Sequence, residues 1–360
     1  MAENIENNAD QDGGAAGLFG SFQSFGDFGK MRSRATSKED IIKNYFENGD
    51  IKRDTEAFMA EAKTGFSNLD KEAGGGLFVG VYTLAAIPSL GKTTFALQLA
   101  DQLAAGGHDI LFFSLEQSKL ELVSKSLNRI AHQEQKGGAT DQDGKVLTSL
   151  EIRKGRGGDQ VERAIEIYSG YYDRISIIEP EENAITTEQL KEYIEAYIEA
   201  HKKRPIVFVD YLQLLLAADP RKSAREGMDR TMTELKGISR QNNVTIIAIS
   251  SMNRSSYSDP VNFASLKESG TIEYTSDVVW GLQFQGMEEN TTAKEINEKK
   301  AADPRKIELS CLKNRFGKAT YKCYFDYYAA RDLFKESEGN EGTKGAKGVD
   351  TEEYRVPEGW

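Results

Sequence analysis

The sequence predicts an α/β fold: a mainly parallel, twisted sheet flanked by helices, with an antiparallel hairpin at its C-terminal end. Three observations predict it. Short apolar runs at 81–86, 110–115, 174–179, 205–211 and 244–250 stand far apart, as parallel strands joined by crossovers do. The connections between them carry the spacing of amphipathic helices. Further apolar runs follow at 277–284, 305–312 and 320–326, and only 314–318 separates the last two, as in a hairpin.

The flanking segments read differently. Residues 1–36 are rich in Asn, Asp, Gly and Ser and are expected to be disordered. Within them Phe19, Phe22, Phe25 and Phe28 recur every third residue, a spacing that suits docking on a partner as well as a tail that never orders. Ser37 with Asp40 resembles a capping box opening a short helix that carries Ile41, Ile42, Tyr45 and Phe46. A second short helix is expected from about 54 to 63. Together, 37–63 would form an arm or linker, too small to fold alone. The main domain is expected over 64–334, with 286–304 as a polar surface loop and 335–360 as a flexible acidic tail.

Composition narrows the function classes. With 39% apolar and 29% charged residues, the 360-residue chain can build a large core. No apolar run approaches the ~20 residues that span a bilayer, and the acidic, polar start is unlike a secretory signal, so a cytoplasmic, membrane-free protein is expected. Cys311 and Cys323 cannot make a disulfide framework; a reduced, buried pair facing across the hairpin is expected. The net charge of −11 is concentrated in both end segments and in 286–304. A groove elsewhere can therefore be basic enough for nucleic acid.

The decisive stretch is Ala86-Ile87-Pro88-Ser89-Leu90-Gly91-Lys92-Thr93-Thr94. It lies between a predicted strand and a predicted helix, the context a phosphate-binding loop requires. The strict pattern begins with Gly, and here Ala86 takes that place. Gly91 lets backbone N–H groups turn toward phosphate oxygens, and the helix N-terminus adds partial positive charge. Lys92 can reach β- and γ-phosphates, and the Thr93 hydroxyl can ligate Mg²⁺. ATP and Mg²⁺ are the expected cofactors, with Ala86, Pro88, Ser89, Leu90, Gly91, Lys92, Thr93, Thr94 and Asp210 as the nucleotide site.

Two carboxylates complete the chemistry. Asp210 ends the apolar run Ile206-Val207-Phe208-Val209 and would hold Mg²⁺, commonly through a water. Glu116 follows Phe112-Phe113-Ser114-Leu115 at the end of the strand expected after the phosphate loop. Hydrolysis needs a carboxylate to orient and deprotonate water, and Glu116 is the candidate general base.

Seven motifs in order carry a family resemblance. They are Thr64-Gly65-Phe66 with Leu69-Asp70; Pro88 to Thr94; Phe113-Ser114-Leu115-Glu116; Asp210-Tyr211-Leu212-Gln213-Leu214; Ile249 to Arg254; Lys267-Glu268-Ser269-Gly270-Thr271-Ile272-Glu273; and Lys313-Asn314-Arg315-Phe316-Gly317. From about 64 to 334 the chain resembles the C-terminal, RecA-like P-loop ATPase domain of DnaB-type replicative helicases.

That resemblance implies a homo-hexameric ring with ATP between subunits, translocating 5′ to 3′ on single-stranded DNA during replication. Lys313 and Arg315 match the element that reaches the neighbouring subunit's nucleotide, so they join Glu116 as catalytic candidates. An Arg fork supplied in trans would stabilise charge developing on the γ-phosphate. Lys267, Glu268, Ser269 and Gly270 match the DNA-binding loop, where backbone contacts read no base sequence. Arg221, Lys222 and Arg225 belong to a second loop that would line the channel or stay solvated. A primase or loader is a further implied partner. The chain departs from the family pattern twice: Ser251 stands where Gln is usual, and the family's helical N-terminal domain has no counterpart of adequate length. Serine would sense a γ-phosphate only through water or after a backbone shift. Two other functions suit the same residues: a DNA-dependent ATPase acting as loader or recombination accessory, and an ATP-gated assembly protein.

Overall fold

The computed structural model describes residues 62–180, 185–216, 224–253, 256–266 and 269–339. The chain divides into two compact units, 1–60 and 61–360, and the described residues belong to the second. The Phe-rich segment, all but the last residues of the 37–63 arm, Arg221 and Lys222, and Lys267 and Glu268 lie outside the described residues.

Regular structure begins with α1 (Ser67–Ala73), stopped by Gly74 in the left-handed region at φ 97°. Then come β1 (Val81–Ala86), α2 (Lys92–Ala105) and β2 (Ile110–Ser114). Ser118 caps α3 (Lys119–Glu134) through a reciprocal box with Glu121. Two short helices, α4 (Ser149–Arg153) and α5 (Gly158–Ser169), pack on α3 and lead to β3 (Ile175–Ile178). Beyond lie β4 (Ile185–Thr186), α6 (Thr187–His201), β5 (Ile206–Asp210), β6 (Leu215–Leu216), α7 (Ala224–Asn242) and β7 (Ile246–Ser251). The last third holds α8 (Ser269–Thr275), β8 (Val278–Phe284), α9 (Ala293–Ala301), β9 (Arg305–Asn314), β10 (Tyr321–Tyr328) and β11 (Leu333–Ser337).

Nine strands form one sheet in the order β11-β10-β9-β8-β1-β7-β5-β2-β3, while β4 and β6 pair separately. From β3 across to β8 neighbouring strands are parallel; β9, β10 and β11 continue antiparallel. The expected architecture is therefore present. All residues of β1, β2, β5 and β8 are buried, as strands covered on both faces must be. In β10 burial alternates, with Tyr321, Cys323, Phe325 and Tyr327 inward.

Four expectations need correction. The segment 286–304 is not all loop: Thr292 and Glu295 form a capping box that starts α9. Arg225 stands in the first turn of α7 rather than in a loop. The tail does not begin at 335, because β11 runs to Ser337. Gln98 on α2 exchanges two hydrogen bonds with the Phe334 backbone, at 2.9 and 2.8 Å, and Glu336 accepts from Ser67 Oγ and from the N–H groups of Asn68 and Leu69. Those long-range partners hold a segment whose own composition reads as mobile. The cysteines do not face each other directly: Cys311 opposes Tyr321 and Cys323 opposes Leu309, a two-residue offset. Both thiols are free, and burial pushes Cys311 up to about 11 and Cys323 up to about 12. Thiols held that high are poor nucleophiles at neutral pH.

An aromatic knot fastens α2 to the antiparallel end of the sheet. Phe95 stacks on Phe66 at 5.5 Å and meets Phe325 and Phe334 edge-on at 5.3 and 5.2 Å. Phe95 is fully buried. Phe95→Ala should cost about 3–5 kcal/mol in urea unfolding; a loss below about 1 kcal/mol would show that the knot is dispensable.

Candidate functional site

The phosphate loop leaves β1, the strand paired with β7 on one side and β8 on the other. It turns at Ser89 (φ 64°) and Gly91 (φ 95°) and enters α2. No side chain caps α2, and its first turn holds no acidic residue. Its first N–H groups are thus left for a ligand, with the positive end of the helix dipole behind them. Gly91 is required for space as well as conformation. A Cβ there would stand 2.8 Å from the Tyr327 ring and 3.1 Å from Phe334.

The side chains converge at the C-terminal ends of β1, β2, β5 and β7. Ser114 of β2 lies beside Asp210 of β5, and the Leu115 N–H donates to the Asp210 carbonyl at 2.8 Å. This pairing sets Glu116, which is exposed, at the mouth above Asp210, which is buried. The Thr93 hydroxyl lies close enough to the Asp210 carboxylate to favour its charged form. Lys92 Nζ donates to Ser251 Oγ at 3.1 Å. Next to Ser251, Ser250 Oγ accepts from Gln213 Nε2 at 2.9 Å. Ser251 thus touches the phosphate-loop lysine directly.

Burial strains the charges here. It lowers the Lys92 pKa, against the opposing pull of Asp210 and Glu116. Burial also raises Asp210 to about 6; the Thr93 hydroxyl lowers it and the Glu116 charge raises it further. Asp210 Oδ2 is buried with no hydrogen-bond partner. An orphaned carboxylate oxygen beside a threonine hydroxyl is a hard-oxygen donor set that suits Mg²⁺. Among the described residues no trio of His, Cys, Asp or Glu forms a metal cage. Mg²⁺ held by phosphates and waters needs none.

Several supporting residues carry no local sequence signal. Arg305 donates through Nη1 to the Ser89 carbonyl at 3.1 Å and lies 5.8 Å from the Tyr327 ring centre. Lys125 donates to Thr94 Oγ1 at 3.2 Å and sits 3.7 Å from Asp332. All come from distant positions, and only the folded sheet brings them to the loop.

Lys313 and Arg315 are not part of this cluster. Lys313 opposes Val279, Asn314 opposes Val278, and the Arg315 N–H donates to Asp277. Since Val278 and Val279 flank Tyr82 and Thr83, both basic residues lie level with the start of β1. At ~3.3 Å per residue, Ala86 at the head of the phosphate loop lies about 10 Å further along the strand than the level of Lys313 and about 16 Å further than that of Arg315. There Arg315 pairs with Asp277 at 3.3 Å and donates to the Tyr274 carbonyl at 3.2 Å. Lys313 Nζ donates to the Glu273 carbonyl. Lys236 and the Val81 N–H also bind Asp277.

Of the expected DNA loop, Ser269 and Gly270 open α8 rather than lie in a loop, and the space around Gly270 is open. The residue before the undescribed pair, Leu266, bridges to Met252, one residue beyond Ser251. The stretch leading to Lys267 is therefore tied to the end of β7, on the phosphate-loop side of the sheet.

Residues 62–335 match the family profile described as the DnaB-like helicase C terminal domain. The chain belongs to that family. Among its relatives is the replicative DNA helicase DnaB of Haemophilus influenzae, 25% identical over 267 residues, covering 70% of this chain and 54% of the relative. The DnaB of Leifsonia xyli is 30% identical over 233 residues, covering 61% and 46%. This DnaB-family chain spans about half the length of the curated relatives it matches. Among solved structures, one separate ATPase domain superposes with a TM-score of 0.67 at 20% identity, covering 84% of this chain and all of that one. A DnaB-like replicative helicase whose structure describes its interactions with primase superposes at 0.65, also at 20% identity, covering 87% and 71%. These likenesses give the fold, a RecA-like core. No described helix is long and apolar enough to cross a membrane.

Asp210 supplies a pH test. Its folded pKa of about 6 lies above the ordinary 3.8, so the folded chain keeps a proton that the unfolded chain releases. That contribution to stability is complete below about pH 4 and is lost as pH rises through about 6. In EDTA, Asp210→Asn should be more stable than the parent at pH 8 by on the order of 1–3 kcal/mol, with the gap closing near pH 4. Parallel urea-stability profiles for the two chains would show that Asp210 is not held in an apolar site.

Proposed function

We propose that this chain is the ATP-hydrolysing motor of a ring-shaped DNA helicase, a homo-hexamer moving 5′ to 3′ on single-stranded DNA in replication. One observation carries the reading. The phosphate loop, Asp210 and Glu116 occupy one end of the sheet, while Lys313 and Arg315 occupy the other. Lys313 and Arg315 thus do not face their own protomer's phosphate loop, and a neighbouring copy presenting its opposite edge would bring them to it. Family membership, and relatives named as replicative helicases, support the same reading.

Each residue then has a task. The uncapped N-terminus of α2 receives phosphate oxygens, and Lys92 neutralises the β- and γ-phosphates. Thr93 and Asp210 would hold Mg²⁺, which would supply positive charge against the charge that develops on the phosphates. Glu116, exposed at the mouth, orients the attacking water and takes its proton. Arg315 of one protomer exchanges Asp277 for the neighbour's γ-phosphate, and Lys313 assists. The stretch from Met252 to Leu266 connects Ser251, which touches Lys92, to Lys267, so the loop 267–270 can respond to nucleotide while holding DNA phosphates. Primase or a loader is the further partner in this reading.

ATPase rates with and without single-stranded DNA, together with unwinding of forks of both polarities, test the function. Stimulation by DNA and displacement from a fork with a free 5′ arm are expected. A rate indifferent to DNA, with no unwinding, would refute a DNA motor. Lys92→Ala should reduce turnover at least a hundredfold.

Action in trans has its own test. Arg315→Ala should bind nucleotide but not hydrolyse it. Mixing Arg315→Ala with Glu116→Gln subunits should restore part of the rate, because some interfaces in mixed rings carry neither lesion. No recovery at any mixing ratio would rule out a shared site.

A further inference from the structure

A cavity outside the candidate nucleotide site lies over the antiparallel half of the sheet. It measures about 560 Å³. Lys299, Lys306 and Lys322 line it with a single carboxylate, Glu308, and its apolar walls include Met287 and Tyr324. In a chain of net charge −11, three lysines converging on one cavity stand out. Glu308 on its floor is buried and already satisfied: Gln283 Nε2 and Ser310 Oγ each donate to it at 2.7 Å, and Lys322 at 2.9 Å. Lys299 donates to a neutral group, the Gln285 carbonyl, at 2.8 Å. Lys306 pairs with Asp326 at 2.8 and 3.0 Å and Lys322 with Glu308, so among the described residues Lys299 is the lining lysine without a carboxylate partner, and it faces an anionic, partly apolar occupant.

The described chain ends at its rim. Tyr324 lies opposite Ser337 across the β10–β11 ladder. Gly339 packs so close to the Tyr324 ring that a Cβ would stand 2.6 Å from it. The remaining C-terminal residues suit the cavity in charge and reach. Residues 350–360, Asp-Thr-Glu-Glu-Tyr-Arg-Val-Pro-Glu-Gly-Trp, carry four acids against one base, with Tyr354, Val356 and Trp360 as apolar groups. Residues 340–349 connect them and contain Gly342, Gly345 and Gly348. Ten residues reach at most ~33 Å, far enough to return to a cavity that starts beside their own anchor. A short tether also gives an effective concentration on the order of millimolar, so weak contacts suffice.

We propose that the segment 350–360 of this same chain docks in the lysine-lined cavity over β8, β9 and β10. The cavity floor connects onward: Gln283, which binds Glu308, also accepts the Val261 N–H at 2.7 Å. Val261 lies in the stretch that leads through Leu266 to Lys267. A docked tail therefore rests against the support of the 267–270 loop.

The two tryptophans make a direct test. Trp280 is fully buried and donates to the Tyr321 hydroxyl at 2.8 Å, so quenchable emission belongs to Trp360. Acrylamide quenching of the full chain is measured with the Trp360→Phe chain subtracted, beside a synthetic peptide of residues 346–360. A Stern–Volmer constant at least threefold below that of the peptide is expected. Lys299→Glu, or the milder Lys299→Gln if the first fails to fold, should raise it toward the peptide value, as should 0.5 M salt. Emission as quenchable as the peptide's would overturn the proposal. Protection unchanged in both Lys299 variants would overturn it too, by placing the segment elsewhere. Protection lost on dilution would assign the cavity to another copy's tail and overturn the docking within one chain.

Discussion

Strand register is the constraint on which everything else depends. β1 is hydrogen-bonded along both edges, and its partners cannot slip by one residue without turning buried side chains outward. That lock delivers the phosphate loop, Asp210, Glu116 and Ser251 to one end of the sheet. The same lock, running through β8 into antiparallel β9, carries Lys313 and Arg315 to the other end. No side-chain rotation bridges a distance of that order. The function proposed for this chain therefore calls on a neighbouring copy for those two residues, because the sheet holds them away from their own phosphate loop.

Within the nucleotide site, stability has been surrendered locally. Lys92 is partly stripped of water, Asp210 is buried with one oxygen unpartnered, and α2 begins without a cap. Each feature is costly by itself, and each would be relieved by the polyanion and metal of the proposed function. The surroundings absorb that cost. Phe95, Phe325, Phe334 and Tyr327 pack beneath the loop, and Gln98 and Glu336 tie β11 to the helices beside it. The C-terminal meander is thus the floor on which Gly91 rests.

Much of this was legible in the chain itself. The eight expected strands lie within a few residues of those observed; the clearest, β1, β2, β5 and β8, are buried on both faces and need unbroken apolar runs. β11 was hidden, since Leu333–Ser337 includes lysine, glutamate and serine, and its order comes from Gln98 and from α1. α9 was hidden too, since a charged run reads as loop unless the box at Thr292 and Glu295 is weighed. The cysteines were expected to face each other, but a two-residue difference in hairpin register is below what spacing resolves. Arg305 and Tyr327 had no signal at all, being far along the chain from the loop they support.

Sequence alone determined which groups exist and what they can do: a glycine before a lysine and two threonines, apolar runs ending in Asp210 and Glu116, and a basic pair after an apolar strand. Those are covalent neighbourhoods, and local chemistry suffices to read them. Tertiary structure decided which groups meet. Lys92 reaches Ser251, Arg305 reaches Ser89, and Arg315 reaches Asp277 instead of the phosphate loop, with Lys313 held beside it. Such meetings follow from how strands pair across the whole sheet, and pairing energy is spread over many buried contacts that no short stretch of chain contains.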